Sequence, residues 1–460
     1  MNKVICLILL IFACNQVSYA LIKVDMIRGG YQSQQKQERF LSLDARGLAS
    51  ENNKVVSLEN YFQMKYFGYI YVGQNQQKMK MLFDSGSDTM WVGSKTCNTC
   101  RDSGINTLYD CIEQNGCKYT GKPIETINYS KGQVDGYLAS TVVNFNNQNS
   151  ASSFDFNLLL ITNVKNLESY DADGIIGLSY SVNYRRQDSR NPFVKELFQR
   201  KIIKDESFSI YLGFKKDDSE ITFGGINQDK VNPGSNFIYY LVPSLQAQFW
   251  EVKVQGLILG SQTYDISTST TIVDSGTSVL CFENSVFDKV QDFLQQNVNG
   301  LQRKDLYFTY KCGQSLPTIY FTIISAEGKK YKYSIEPEYY TIKLNGECII
   351  LIDLCKYNNI LGEVFMRKYV TNFKYNYKDN SDAVGFALSI ADPKDNYMND
   401  SDSQQYTLYF ILGGVGVAVI ILIAVIIYYF RRKKIKQNML KQNNSLYQKN
   451  NDNTDISSKS

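Results

Sequence analysis

The sequence predicts an all-β chain of two similar lobes, followed by one C-terminal transmembrane helix. Three observations predict it. The 460 residues include 34 Tyr and 25 Phe, set in short alternating runs closed by turn residues, which is how strands read. Phe83-Asp84-Ser85-Gly86-Ser87 in the first half has a near-copy in the second, Val273-Asp274-Ser275-Gly276-Thr277-Ser278; each follows an apolar run, and each is trailed by an aliphatic pair with glycine, Gly174-Ile175-Ile176-Gly177 and Ile360-Leu361-Gly362. Residues 408–430, LYFILGGVGVAVIILIAVIIYYF, carry no charge, and at about 1.5 Å rise per residue such a run spans a bilayer core.

Composition excludes several chemistries. The formal charge is +4, from 49 basic and 45 acidic residues, and the one basic cluster is Arg431-Arg432-Lys433-Lys434 beside the apolar span. No nucleic-acid partner is expected. The chain has no His, which removes Ser-His-Asp and Cys-His nucleophiles and most catalytic zinc sites. Proton transfer then falls to carboxylates, and no metal and no cofactor is expected.

In chain order, Lys3, the run VICLILLIFAC and the small-residue end Ser18-Tyr19-Ala20 form a secretory signal over 1–20. Residues 21–54 are polar, slightly basic and weakly helical in pattern, and read as a removable pro-segment. From Leu58 the text changes: MKYFGYIYVG alternates and stops at glycine, QNQQ turns, and KMKMLFD delivers Asp84 to a strand end. In the helical stretch NPFVKELFQRKII, Phe193, Leu197 and Phe198 are expected in the core. The first lobe is placed at 55–230 and the second at 231–390, where CFENSVFDKVQDFLQQ reads as an amphipathic helix. A stalk (391–407), the membrane span and a polar tail (431–460) follow. The basic cluster puts the tail in the cytosol. This gives a single-pass type I protein whose lobes face a lumen, endolysosomal or vacuolar, or the cell surface. The span itself would contact lipid, and the lobes are expected to act as a monomer.

The stretch LENYFQMKYFGYIYVG…FDSGSDTMWVGS resembles the start of a mature pepsin-like aspartic protease, and VDSGTS resembles that family's second active-site motif. The match runs from about Leu58 to Leu388. It implies a bilobal fold with pseudo-twofold lobes and peptide-bond hydrolysis in a cleft between them, with protein or peptide substrates. Asp84 and Asp274 match the catalytic pair. Ile127-Asn128-Tyr129-Ser130-Lys131-Gly132-Gln133-Val134-Asp135-Gly136 resembles the flap, with Tyr129 as its tyrosine, Gly132 at a turn, and Trp91 as the ring N–H that supports it. Ser85 and Ser275 match positions that brace the two loops, where the family more often has Thr. Ser87 and Ser278 are the expected hydrogen-bonding partners of the carboxylates; Gly86, Gly276 and Thr277 complete the turns. Asp88 is read as a solvated loop charge.

Two carboxylates this close would hold a single proton between them. The charged one would activate a water against the scissile carbonyl while the protonated one donates to its oxygen. A non-catalytic receptor keeping this fold is the rival reading, and the intact motifs argue against it. Export to an oxidising compartment makes the cysteines structural. The resemblance pairs Cys312 with Cys348 and leaves Cys281 for Cys355, whereas the pairing among Cys97, Cys100, Cys111 and Cys117 stays open. Asn128-Tyr129-Ser130 is an acceptor for glycosylation expected to go unused beside the flap, and Asn399 is the better one.

Overall fold

The computed structural model describes residues 21–28 and 65–395, except 130–131, 146–152, 168–170, 180–191, 216–217, 245–246, 268–269, 305–306, 345 and 379–380. The signal at 1–20, the rest of the 21–54 segment, Asn399 and the span at 408–430 lie outside the described residues. Among the described residues no helix is long and apolar enough to cross a membrane.

The first described segment departs from the weakly helical reading of 21–54. Ile22–Arg28 is a strand, β1, with Val24, Met26 and Arg28 buried and Lys23 and Asp25 exposed. That is a period of two. Seven residues carry little helix propensity, and pairing to a sheet on both edges overrides it. One edge meets Tyr66–Val72 (β2), with Arg28 opposite Tyr66, and the other meets the strand Ser219–Phe223. From β2 the chain turns at Gly73 and Gln76, whose φ angles are 79° and 53°, into Gln77–Asp84 (β3). Met79 and Met81 alternate into the core, then Leu82, Phe83 and Asp84 are buried in succession as the strand runs inside.

Trp91–Gly93 (β4), Glu125–Asn128 (β5), Gln133–Asn144 (β6), Phe154–Lys165 (β7) and Gly174–Gly177 (β8) complete the unit around Asp84. β8 runs parallel to β3, with Gly177 opposite Asp84, and antiparallel to β4; β4 runs parallel to β7. The next helix, Phe193–Gln199 (α1), corrects one expectation. Phe193 and Leu197 are buried, but Phe198 is 39% exposed and Val194 fills the core instead. Positions i, i+1 and i+4 share one side of a helix, whereas i+5 turns outward. Ser207–Tyr211 (β9) and Ser219–Phe223 (β10) then pair as a hairpin, and Ile238–Leu241 (β11) opens the second half.

The second half repeats the first unit. Thr271–Val273 (β12) and Leu280–Glu283 (β13) flank the second aspartate loop, and the amphipathic helix Asn284–Asn297 (α2) follows, burying Val286, Phe287, Val290, Phe293 and Leu294. Ile352–Cys355 (β14) lies parallel to β13, and Asn359–Leu361 (β15) lies parallel to β12 and antiparallel to β13. One glycine in each half makes the crossing possible. A Cβ on Gly177 would lie 2.3 Å from Thr89 N, and one on Gly362 would lie 2.2 Å from Thr277 O. In both halves the chain therefore passes in backbone contact behind the loop that carries the aspartate.

After Glu363–Lys368 (α3), the strands Tyr369–Lys378 (β16) and Ser381–Leu388 (β17) close the fold. β17 pairs with β11 and β16, and β16 pairs with β9, so one sheet runs from the second half through β9, β10 and β1 to β2 and β3. Phe208 stacks on Phe373 with ring centroids 4.5 Å apart, and Trp250 donates its Nε1–H to Leu178 O at 2.9 Å. These contacts fix the base on which the two aspartate loops stand.

Candidate active site

Each aspartate sits where an inward strand gives way to a tight turn, and the two turns have the same wiring. Asp84 Oδ1 accepts from Gly86 N at 2.9 Å and its Oδ2 from Ser87 Oγ at 2.5 Å. Asp274 Oδ1 accepts from Gly276 N at 2.7 Å and its Oδ2 from Thr277 Oγ1 at 2.6 Å. The second hydroxyl is that of Thr277, read from the sequence only as part of the turn. Ser87 and Thr277 each stand three residues after their aspartate, at matching places in the two turns, and Ser278 is buried beside Thr277.

The loops are laced together by the two serines. Ser85 N donates to Ser275 Oγ and Ser275 N to Ser85 Oγ, both at 2.9 Å. Ser85 Oγ then donates to Val273 O at 3.0 Å, and Ser275 Oγ to Phe83 O at 2.8 Å. Both side chains are buried, so each bond replaces one that water cannot supply. The lacing presses each aspartate against the other loop's glycine. A Cβ on Gly86 would lie 2.5 Å from Asp274 Cγ; one on Gly276 would lie 2.5 Å from Asp84 Oδ1 and 3.2 Å from Asp274 Oδ1. The two carboxylates thus flank one point, which a side chain at Gly276 would occupy.

The hairpin of β5 and β6 brings Tyr129 close enough to Asp84 for that carboxylate's charge to act on it. Tyr129 N donates to Gly132 O at 2.7 Å, closing the turn, and Trp91 donates its Nε1–H to Tyr129 OH at 2.8 Å. Trp91 is fully buried on β4, seven residues after Asp84, so the strand that leaves the aspartate loop also supports the flap tyrosine. Burial, and secondarily the charge of Asp84, pushes the Tyr129 phenol well above its ordinary value, against the Trp91 hydrogen bond; the charge of Asp88 adds to the rise. Tyr129 therefore stays a neutral donor. Asp88 is held by its neighbour, Thr89 Oγ1 donating to its Oδ1 at 2.8 Å.

The structure joins Cys97 to Cys100, Cys111 to Cys117, Cys281 to Cys355 and Cys312 to Cys348. Two carboxylates were not singled out by the sequence. Asp173, 5% exposed, accepts from Lys80 N and Thr107 N, both at 2.8 Å, and so clamps β3 to the loop under the flap. Its signal was an acid set directly before the apolar GIIG. Asp135 on β6 is the other.

Comparison with known proteins agrees with this geometry. The family model described as eukaryotic aspartyl protease matches residues 65–389. The chain is 33% identical to plasmepsin I of Plasmodium falciparum over 349 residues, covering 73% of this chain and 71% of that protein. It is 26% identical to vacuolar protease A of Neurospora crassa over 366 residues, covering 77% and 85%. It is also 26% identical to pepsin II-1 of the rabbit, Oryctolagus cuniculus, over 325 residues, covering 69% and 80%. With the family model across both halves and two identically wired aspartate turns facing one point, the chain belongs to the eukaryotic aspartyl protease family and is a pepsin-like aspartic endopeptidase.

Proposed function

We propose that Asp84 and Asp274 hydrolyse peptide bonds of protein substrates by activating a water between them, in an acidic compartment, on a chain tethered as a type I membrane protein. The observation that carries the chemistry is the shared point between the carboxylates, each aimed there by a backbone N–H and a hydroxyl. One aspartate takes a proton from the water as it attacks the scissile carbonyl, and the other gives its proton to the carbonyl oxygen. The roles exchange as the amine leaves, and no covalent intermediate forms. Tyr129, kept neutral, closes over the bound peptide from the flap side. The likeness to a protein named vacuolar protease A supports an acidic lumen. The uncharged run at 408–430 with basic residues after it supports the tether, and residues 21–54 fit a pro-segment removed on activation.

Asp84→Asn and Asp274→Asn are each expected to lower peptide cleavage by at least about a thousandfold, since each removes one half of the acid–base pair. A statine-type transition-state mimic should block the wild type. Full cleavage by either variant rules out the two-carboxylate mechanism. For the tether, the full-length protein should resist alkaline carbonate extraction, while a chain ending at residue 399 should be released.

A further inference from the structure

The flap hairpin has an apolar side and a polar side: Val134 is buried with Trp91, Leu159 and Ile161, and Ile127 and Tyr129 pack against them. β5 is four residues long and pairs with β6 alone, its Thr126 and Asn128 are exposed, and Ile127 is half-buried. The hairpin's outward side is tied down by polar groups. Asp135 faces Thr126 across the hairpin and Asn163 on β7. Its Oδ1 accepts from Thr126 Oγ1 at 2.7 Å and from Gln133 Nε2 at 2.6 Å, and its Oδ2 from Asn163 Nδ2 at 2.8 Å. Lys165 Nζ on β7 lies 3.7 Å from Oδ2. The β6–β7 register slips at this residue, Asp135 pairing with Asn163 and Gly136 with Ile161, and Thr162 Oγ1 donates to Asp135 O at 3.3 Å. The network runs on: Thr99 Oγ1, inside the Cys97–Cys100 bridge, donates to Asn163 Oδ1 at 3.4 Å and accepts from Val164 N at 2.7 Å.

We infer that Asp135 is the positioning residue of the flap: its carboxylate ties β5 and β6 to β7, and so sets where Tyr129 stands over the aspartate pair. One carboxylate collecting three side-chain donors from three strands adds a directional polar tie to the apolar packing of Val134 and Ile127. The charged group facing it is Lys165; Thr126, Gln133 and Asn163 are neutral. Those neutral donors, Asn163 foremost, then Gln133 and Thr126, with a smaller part from Lys165, push the Asp135 carboxyl down to about 2. The anchor thus remains charged at acid pH, where an ordinary carboxylate would begin to lose its bonds.

The inference rests on the flap reading above, and steady-state kinetics on the activated protein tests it against a peptide substrate. Asp135→Asn puts an amide donor among donors, so KM should rise roughly tenfold with kcat changed less than about threefold. Asn163→Ala, which leaves Asp135 in place, should move KM the same way by a smaller factor. Lys165→Ala, removing charge alone, should leave both constants within about twofold. A folded Asp135→Asn with unchanged KM overturns the inference, and if that variant does not fold, an unchanged KM in Asn163→Ala overturns it. Cleavage surviving in Asp84→Asn would instead sink the aspartate-pair reading, whatever Asp135→Asn does.

Discussion

At the scale of single residues, the site is a problem of supplying donors to two acids inside protein. Each aspartate receives one backbone N–H and one hydroxyl, and each loop receives the other's serine. Bonds to a charged acceptor are worth about 1.5–3 kcal/mol each. Thr277→Val, which keeps the shape and removes the donor to Asp274, is therefore expected to lower kcat/KM roughly ten- to hundredfold. Thr277→Ser should restore it. Equal kcat/KM in Thr277→Val and wild type would show that the hydroxyl does not orient the acid. Asp84 and Asp274 were legible in the sequence because a repeated local motif names them. The donor role of Thr277 was not legible, since spacing alone does not say how each hydroxyl of the turn is aimed.

At the scale of elements, the flap combines the apolar packing of Val134 and Ile127 with Asp135 as its polar anchor. A consequence follows for stability. The Asp135 carboxyl falls from an ordinary 3.8 to about 2 on folding, so its contribution is present above pH about 4 and is lost as pH drops through about 2. The melting temperature of Asp135→Asn should lie below wild type at pH 5, and the gap should narrow as pH approaches 2. A gap that stays constant from pH 5 to pH 2.5 would contradict it. Tyr129 and Trp91 could be placed from sequence because they fit a familiar hairpin. Asp135 could not, because its donors come from β5, β6 and β7 and meet only when the strands are in register. The same holds for Phe198: the apolar letters were right for a helix, but which of them turned inward depended on where α1 docked.

At the scale of the whole molecule, two copied units stand on a sheet that belongs to both. The bridges divide by reach: Cys281–Cys355 closes a separation of 74 residues, joining β13 to β14, whereas Cys97–Cys100 closes one of three. On the chain-entropy account, removing the long one costs about 4 kcal/mol and the short one about 2 kcal/mol. Chemical denaturation of the paired Cys→Ala variants should rank them in that order; the reverse ranking would mean that native packing, not loop closure, sets their worth. The segment Ile22–Arg28 joins this sheet as an interior strand, opposite to its weakly helical reading.

The sequence by itself determined the two acids, the absence of histidine-activated nucleophiles, the strand-rich class and the duplicated plan, because each is written in local pattern or in composition. Only the tertiary structure decided that Thr277 serves Asp274, that β1 is a strand between β2 and β10, and that Asp135 gathers the flap. The first depends on how a local turn aims its hydroxyl, and the other two on contacts between residues distant in the chain; hydrogen-bond partners and sheet neighbours are chosen by geometry and register after folding rather than by spacing before it.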